Sequence, residues 1–347
     1  MRVLIVKMSA MGDIIHALPV LDYLHQVSPG IEIDWLVEAP FQDVVAGNPL
    51  ISTIHTARTK VWRKRPFAVS TFREIGALKQ ALQERAFDVV FDIQGNIKSG
   101  VYGWLSGVDN RIGFNADVLQ ERLNMMFTTR QIPLRPHDYH ITDQYLRLVS
   151  VPFGRDFREM QLSSDIYTTP EDDAVAETLL STLADGLVFL FHYGTTWQTK
   201  FWSERSWIEL GKVLLDRFSE SSVLLSWGND MERRVVMGIA AGIGPGARVI
   251  ERYSLKGLTA LLKKVDLVVG GDTGPVHLAA AVGTSTVSFY RSSDGKRSGP
   301  RGDGHVIVQS PLPCAKCFRT RCDKDEECRQ SITVEAVVQG VEKALSV

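Results

Sequence analysis

Residues 1–20 read MRVLIVKMSAMGDIIHALPV. The run from Val3 to Lys7 is apolar and β-branched enough for a buried strand. The tight Ser9-Ala10-Met11-Gly12 turn behind it leads into a helix beginning near Ile14. A strand, a turn and a helix in that order put the turn at the carboxyl edge of a parallel sheet, where open α/β folds bind ligands. Asp13 stands at the mouth of the helix. One reading makes it a cap, its side-chain oxygen accepting free N–H groups and its charge favouring the positive end of the helix dipole. The other makes it a base, because a carboxylate is a poor host for a phosphate and a good acceptor for a proton.

Bulk properties narrow the choice. A chain of 347 residues exceeds what one hydrophobic core usually organises, so two domains are expected. Lysine and arginine number 39 against 40 acidic residues, and this balance argues against a bulk nucleic-acid binder. The N-terminus is a charged strand without the apolar core of a signal peptide, and no apolar run approaches the roughly 20 residues that span a bilayer. The expectation is a cytoplasmic protein that can still visit a membrane surface.

Strand-like and helix-like segments alternate twice. Val3–Lys7, Ile31–Val37, Asp88–Ile93 and Arg111–Phe114 read as strands, with helices over Ile14–Gln26, Glu74–Arg85 and Ile141–Val149. After the polar stretch at 152–158 the pattern restarts, with strands at 187–192, 223–227, 248–250, 267–270 and 286–290. The intervening helices fall near 207–215, 232–241 and 256–262. Repeated β-α units in each half predict two doubly wound α/β domains with a cleft between them. Their spans are 1–160 and 161–330, with a final helix in 331–347 that Thr333 caps. The chain has no G-x-G-x-x-G after the first strand, no P-loop, no H-E-x-x-H and no G-x-S-x-G. Dehydrogenase, P-loop NTPase, zinc protease and α/β-hydrolase readings lose their main support.

Three segments of the second half carry polar chemistry at predicted strand ends. Gly270-Gly-Asp-Thr-Gly-Pro-Val-His ends a strand and opens a helix at Gly274 with Pro275 at its start. The free N–H groups there form an anion site, with Asp272, Thr273 and His277 crowded around it. His192-Tyr-Gly-Thr-Thr-Trp-Gln-Thr-Lys offers donors at Thr195 and Thr196 and a compact cation at Lys200. Ser226-Trp-Gly-Asn-Asp-Met-Glu brings Glu232, which can bind ribose hydroxyls or face solvent. Arg291-Ser-Ser-Asp-Gly-Lys-Arg reads as a flexible basic loop able to close over a diphosphate.

In the first half, Arg58, Lys60, Arg63, Lys64, Arg65 and Arg73 lie in a stretch without an Asp or Glu, interleaved with Trp62 and Phe67. Such a patch suits an anionic acceptor or a lipid surface. His137 and His140 precede a helix in Pro-His-Asp-Tyr-His and read on spacing as structural.

The segments KMSAMGDIIHALP (7–19), DIQGNIKSG (92–100), TTWQTKFW (195–202), SWGND (226–230) and GGDTGPVHLAAA (270–281) together resemble the ADP-heptose:lipopolysaccharide heptosyltransferases of glycosyltransferase family 9. The likeness spans nearly the whole chain and is strongest to the heptosyltransferase I branch. It implies a GT-B fold, two Rossmann-like doubly wound domains facing a central cleft, with the acceptor bound mainly by the first domain and ADP-heptose by the second. It further implies inverting transfer of L-glycero-D-manno-heptose to Kdo of the inner core, at the inner-leaflet membrane surface, with no cofactor required for catalysis. Asp13 is then the general base. Thr195, Thr196 and Lys200 contact the donor phosphates, Glu232 the ribose, and Asp272, Thr273, Gly274 and His277 form the nucleotide-sugar loop. Arg58, Lys60, Arg63, Lys64, Arg65 and His140 meet the Kdo–lipid A acceptor.

Cys314, Cys317, Cys322 and Cys328 form C-x2-C-x4-C-x5-C, a feature of heptosyltransferase II-like members, so first and second heptose transfer both stay open. Close cysteines in a cytosolic chain point to zinc before disulfides, yet the spacing is not that of a standard zinc ribbon. Structural zinc, pairing and reduced thiols all stand. A non-catalytic nucleotide-sugar or lipid A-binding protein on the same scaffold is the alternative of a different class.

Overall fold

The computed structural model, described for residues 1–346, divides into two units, Met1–Tyr167 and the remainder from Thr168. Unit 1 runs β1 (Arg2–Val6), α1 (Met11–Ala17), α2 (Pro19–Val27), β2 (Glu32–Glu38), α3 (Gln42–Val45) and β3 (Thr53–Ala57). It continues through α4 (Thr59–Lys64), α5 (Val69–Glu84), β4 (Val89–Asp92), α6 (Ile97–Leu105), β5 (Arg111–Phe114), β6 (Arg130–Ile132) and α7 (Ile141–Ser150). Its strands pair in parallel in the order β3-β2-β1-β4-β5-β6. Val3 to Val6 have no exposed surface, as expected for a central strand covered on both faces.

Unit 2 runs α8 (Pro170–Leu180), β7 (Val188–His192), α9 (Glu204–Arg217), β8 (Ser222–Ser226), α10 (Asp230–Ile243), β9 (Ala247–Val249) and α11 (Leu255–Leu262). Then come β10 (Leu267–Gly271), α12 (Gly274–Ala281), β11 (Ser285–Tyr290), α13 (Gly295–Ser298), β12 (His305–Gln309), α14 (Asp325–Gln330) and α15 (Val334–Leu345). Its parallel sheet has the order β12-β11-β10-β7-β8-β9. Counted from its own first strand, each sheet therefore has the same 3-2-1-4-5-6 order. In that arrangement the chain reverses its winding between the first and fourth strands, and the loops leaving those two strands flank a crevice. The crevice lies between β1 and β4 in unit 1 and between β7 and β10 in unit 2.

Aromatic side chains fill the core of unit 2. The Trp207 ring lies 5.1 Å from Phe191, 5.3 Å from Trp202 and 5.7 Å from Phe289. Helix α15 belongs to this core rather than following it: Val337, Val338 and Val341 are buried in the same cluster. It approaches β11 so closely that a Cβ on Gly340 would stand 3.0 Å from Val287 Cγ1.

The single helix expected over Ile14–Gln26 is two helices, because Pro19 lacks a donor and occupies the first turn of a new helix after Leu18. Among the described residues no helix is long and apolar enough to cross a membrane.

Candidate active site

The loop that leaves β1 is held by the loop that leaves β4. Gln94 Oε1 accepts the N–H groups of both Met8 and Ser9 at 3.0 Å, while Gln94 N donates to Val6 O at 3.1 Å. Asp92, the last residue of β4, fixes that bracket in turn. Its Oδ1 accepts from Gln94 N and Gly95 N, and its Oδ2 accepts from Ser99 Oγ at 2.9 Å and Asn124 Nδ2 at 2.6 Å. Burial pushes the Asp92 carboxyl above its ordinary range, and these four donors pull against that shift. Gly95 turns the chain with φ +70°, where a Cβ would also stand 2.9 Å from Leu119 Cδ2. The sequence segment 92–100 signals this loop, but Gln94 and Asp92 were not among the expected site residues.

Asp13 lies inside the first turn of α1, which begins at Met11 rather than near Ile14. Its Oδ2 accepts the Ala10 N–H at 3.1 Å, so it does cap the helix, from the third helical position. One oxygen is thereby fixed, and Tyr145 OH from α7 approaches the other, Oδ1, at 3.5 Å. The half-buried carboxylate thus keeps acceptor capacity for a proton. Lys7, 2% exposed, sets its ammonium 4.6 Å from the centre of the Tyr145 ring. His140 caps α7, with Nδ1 accepting from Thr142 N at 3.2 Å, and packs edge-on against His16 at 5.3 Å. At 3% exposure His140 is a buried cap beside α1.

The basic stretch forms α4 and the entry to α5. Trp62 is buried and donates through Nε1 to Glu74 Oε2 at 2.7 Å, while Thr59 N and the Lys98 ammonium reach the Glu38 carboxylate at 3.2 and 2.8 Å. These contacts fasten the helix from beneath. Arg58, Lys60, Arg63, Lys64, Arg65 and Arg73 remain exposed.

In unit 2 the loops after β7 and β10 meet through charge. Lys200 Nζ lies 2.6 Å from Asp272 Oδ2 and 4.5 Å from the Trp197 ring centre, and His277 Nε2 lies 3.1 Å from Asp272 Oδ1. Burial opposes ionisation of Asp272. The hydrogen bond from His277 and the Lys200 charge outweigh it and hold the carboxyl well below the usual carboxylate range. Lys200, the compact cation expected at a phosphate, is thus held by Asp272. Thr273 precedes α12 without capping it, and its Oγ1 is buried with no hydrogen-bond partner. A buried orphan hydroxyl beside a Pro275-led helix start, whose first N–H groups have no intrahelical partner, is chemistry that an anion completes. Thr195 is half-buried and Thr196 exposed on the facing loop.

Glu232 braces the neighbouring β8 turn. Its Oε2 accepts from Gly228 N and its Oε1 from Asn229 Nδ2, both at 2.7 Å. The β7 loop passes so near that a Cβ on Gly194 would stand 2.4 Å from Glu232 Oε2, so a larger residue there would displace the Glu232 carboxylate. His192, at the end of β7, contacts Ser226 Oγ at 2.9 Å, and burial pushes its imidazole down to about 4, so it is neutral near pH 7.

One expectation is corrected, and the cysteines can be placed. The stretch after β11 is not a flexible basic loop: Arg291 has no exposed side-chain surface, pairs with Asp325 at 2.7 Å and donates to Phe201 O, while Ser292, Ser293 and Asp294 are buried. The four cysteines are all unpaired, with Cys314 and Cys317 exposed and Cys322 and Cys328 half-buried. Among the described residues no three His, Cys, Asp or Glu side chains gather as a metal set. The segment is shaped instead by bonds from Lys316 N and Phe318 N to Arg291 O and Ser292 O, and by Thr199 Oγ1 to Arg319 O at 2.6 Å.

Two parallel six-stranded sheets of identical winding, each with a polar crevice at its switch point, are the two Rossmann-like halves of a GT-B architecture. The model of glycosyltransferase family 9 (heptosyltransferase) matches residues 75–327, and the chain belongs to that family. It is 33% identical to lipopolysaccharide heptosyltransferase 1 of Pseudomonas aeruginosa, over 93% of this chain and 87% of that protein. To the enzyme of the same name from Escherichia coli K12 it is 30% identical, over 90% of this chain and 94% of the other. Its fold is similar to that of E. coli heptosyltransferase WaaC with ADP, with a TM-score of 0.81, 28% identity and coverage of 99% of this chain and 100% of that one.

Proposed function

We propose that this enzyme transfers L-glycero-D-manno-heptose from ADP-heptose to Kdo of the lipopolysaccharide inner core, as a heptosyltransferase I, at the cytoplasmic face of the membrane. The observation that carries the reading is the chemical contrast between the two switch points. One presents a carboxylate with an oxygen left to take a proton; the other presents an orphan hydroxyl and a helix start ready for an anion. Relatives named heptosyltransferase 1 support the acceptor choice, and the solved structures of WaaC with ADP and with ADP-2-deoxy-2-fluoro heptose support the donor.

In this mechanism the Asp13 carboxylate takes the proton of a Kdo hydroxyl as that oxygen bonds to the anomeric carbon. The bond from that carbon to the β-phosphate oxygen breaks, ADP leaves with the electron pair, and the anomeric centre inverts. Charge growing on the diphosphate is met by Thr195, Thr196, the α12 start at Thr273 and Gly274, and Lys200. Asp272, held by His277, sets where the Lys200 ammonium stands. Glu232, with lone pairs left over from bracing its turn, accepts from the ribose hydroxyls. Arg58, Lys60, Arg63, Lys64 and Arg65 meet acceptor phosphates and carboxylates, and His140 keeps α7 against the Asp13 helix.

Asp13→Ala abolishes transfer and leaves ADP-heptose affinity, measured by calorimetry, within about twofold. Full turnover in that variant removes the assigned base. Offered Kdo2-lipid A and its monoheptosylated form separately, the enzyme consumes the first; consumption of the second alone makes it a heptosyltransferase II.

A further inference from the structure

The basic stretch of unit 1 carries apolar side chains that the sugar-transfer chemistry does not use. Phe67 is 89% exposed, Val69 65%, Phe72 62% and Val61 41%, all within the turn and helix ends that join α4 to α5. Large aromatic side chains this exposed are costly to leave in water unless they meet a partner. The charges between them are of one sign: Lys60, Arg63, Lys64, Arg65 and Arg73 are exposed, and no Asp or Glu occurs from 58 to 73. Glu74, the next acid, is already engaged by Trp62 Nε1 and Arg58. The backbone beneath is anchored by buried Trp62 and by Thr71, whose Oγ1 donates to Arg65 O at 2.8 Å, so the tip is presented on a braced base.

We infer that Phe67, Val69 and Phe72 form a wedge that inserts into an anionic lipid bilayer, while the surrounding lysines and arginines bind its headgroups. The inference deepens the heptosyltransferase reading by naming the surface that brings the enzyme to a lipid-borne acceptor. Interleaved cations and aromatics are the pattern of interfacial anchors: each cation near an anionic surface strengthens binding about fivefold, and each ring buried at the boundary adds about tenfold. The net charge of −1 leaves nucleic acid without a wider basic field.

The test uses the full-length enzyme and large unilamellar vesicles of phosphatidylglycerol with phosphatidylethanolamine, free of any Kdo lipid, against vesicles of phosphatidylcholine alone. Cosedimentation with the anionic vesicles is expected, weakening as salt rises and falling at least tenfold on phosphatidylcholine. The double variant Phe67→Ser with Phe72→Ser loses at least tenfold on anionic vesicles, keeps its melting temperature, and transfers heptose to a delipidated, water-soluble Kdo acceptor at the wild-type rate. Equal binding of wild type and double variant overturns the wedge. So does failure of the wild type to bind anionic vesicles, which would hand the patch to a protein or to the acceptor alone. Vesicle binding is read without turnover, so a missing transferase activity on the soluble acceptor refutes the enzymatic reading and leaves the membrane result to stand by itself.

Discussion

Replacing Gln94 with leucine should disable the enzyme from a distance. The side chain lends one oxygen to two backbone donors, Met8 N and Ser9 N, both at 3.0 Å, and these begin the loop that ends in Asp13. Leucine conserves volume and removes the acceptor. A stranded buried N–H costs about 1–3 kcal/mol. Met8 is fully buried and takes the upper part of that range, whereas Ser9 is half-buried and recovers water. The sum is about 2–4 kcal/mol, which predicts a fall of about 5–10 °C in the melting of unit 1. In the proposed mechanism a displaced Asp13 loses rate and not donor affinity, so kcat should drop by about 10- to 100-fold, since about 1.4 kcal/mol is tenfold. KM for ADP-heptose should stay within about twofold. Gln94→Glu keeps an oxygen in place and should recover most of the loss. Steady-state kinetics and calorimetry on the three proteins decide it. A leucine variant with wild-type kcat, or a glutamate variant as impaired as the leucine one, would refute the bracket.

Two further outcomes concern unit 2. Asp272→Asn strands the Lys200 ammonium, which is 14% exposed and 2.6 Å from its carboxylate. The pair's Coulomb attraction is about 6 kcal/mol at an effective dielectric of about 20, and removing one partner of such a pair costs about 3–5 kcal/mol. Because the native carboxyl titrates below its unfolded value of about 3.9, that contribution is present above about pH 4 and lost below it. Urea titrations should therefore show a variant deficit that is steady from pH 7 to about 5 and narrows in stronger acid. His192 acts in the same sense in a higher pH window. The unfolded imidazole takes a proton near 6.5 that the native one refuses until about 4, so stability falls as pH drops through that window, by up to about 3 kcal/mol. His192→Gln should flatten that part of the melting profile; an unchanged slope from pH 7 to 4 would assign it to other groups.

The central strands were legible in the sequence because they are continuous apolar runs: β1, β4, β7, β8, β10 and β11 all read correctly within a residue or two. Of the edge strands, β9 was read within a residue and the other three were not. β3 (TIHTA) and β6 (RQI) alternate or are too short, and β12 has no buried residue, because an edge strand has one neighbour and needs less apolar surface. Helix α6 was missed because its two glycines argue against a helix. The structure demands one of them: a Cβ on Gly100 would stand 2.9 Å from Phe127 Cβ. The polar motifs were visible as loops at strand ends. What joins them was not, because Gln94 meets Met8 and Ser9 across 86 and 85 residues of chain, and no local pattern encodes such a contact. The engagement of Lys200 by Asp272 was hidden for the same reason, across 72 residues.

Arg291 has a thermodynamic consequence. A loop free to fold over a diphosphate would lose conformational entropy each time the donor bound, of order 1–2 kcal/mol for every residue newly fixed. With its guanidinium sealed against Asp325 and Phe201, this loop is ordered once, when the chain folds. Any ligand bound on that side of unit 2 then meets a surface already formed, and this loop takes no part of the binding energy to order itself.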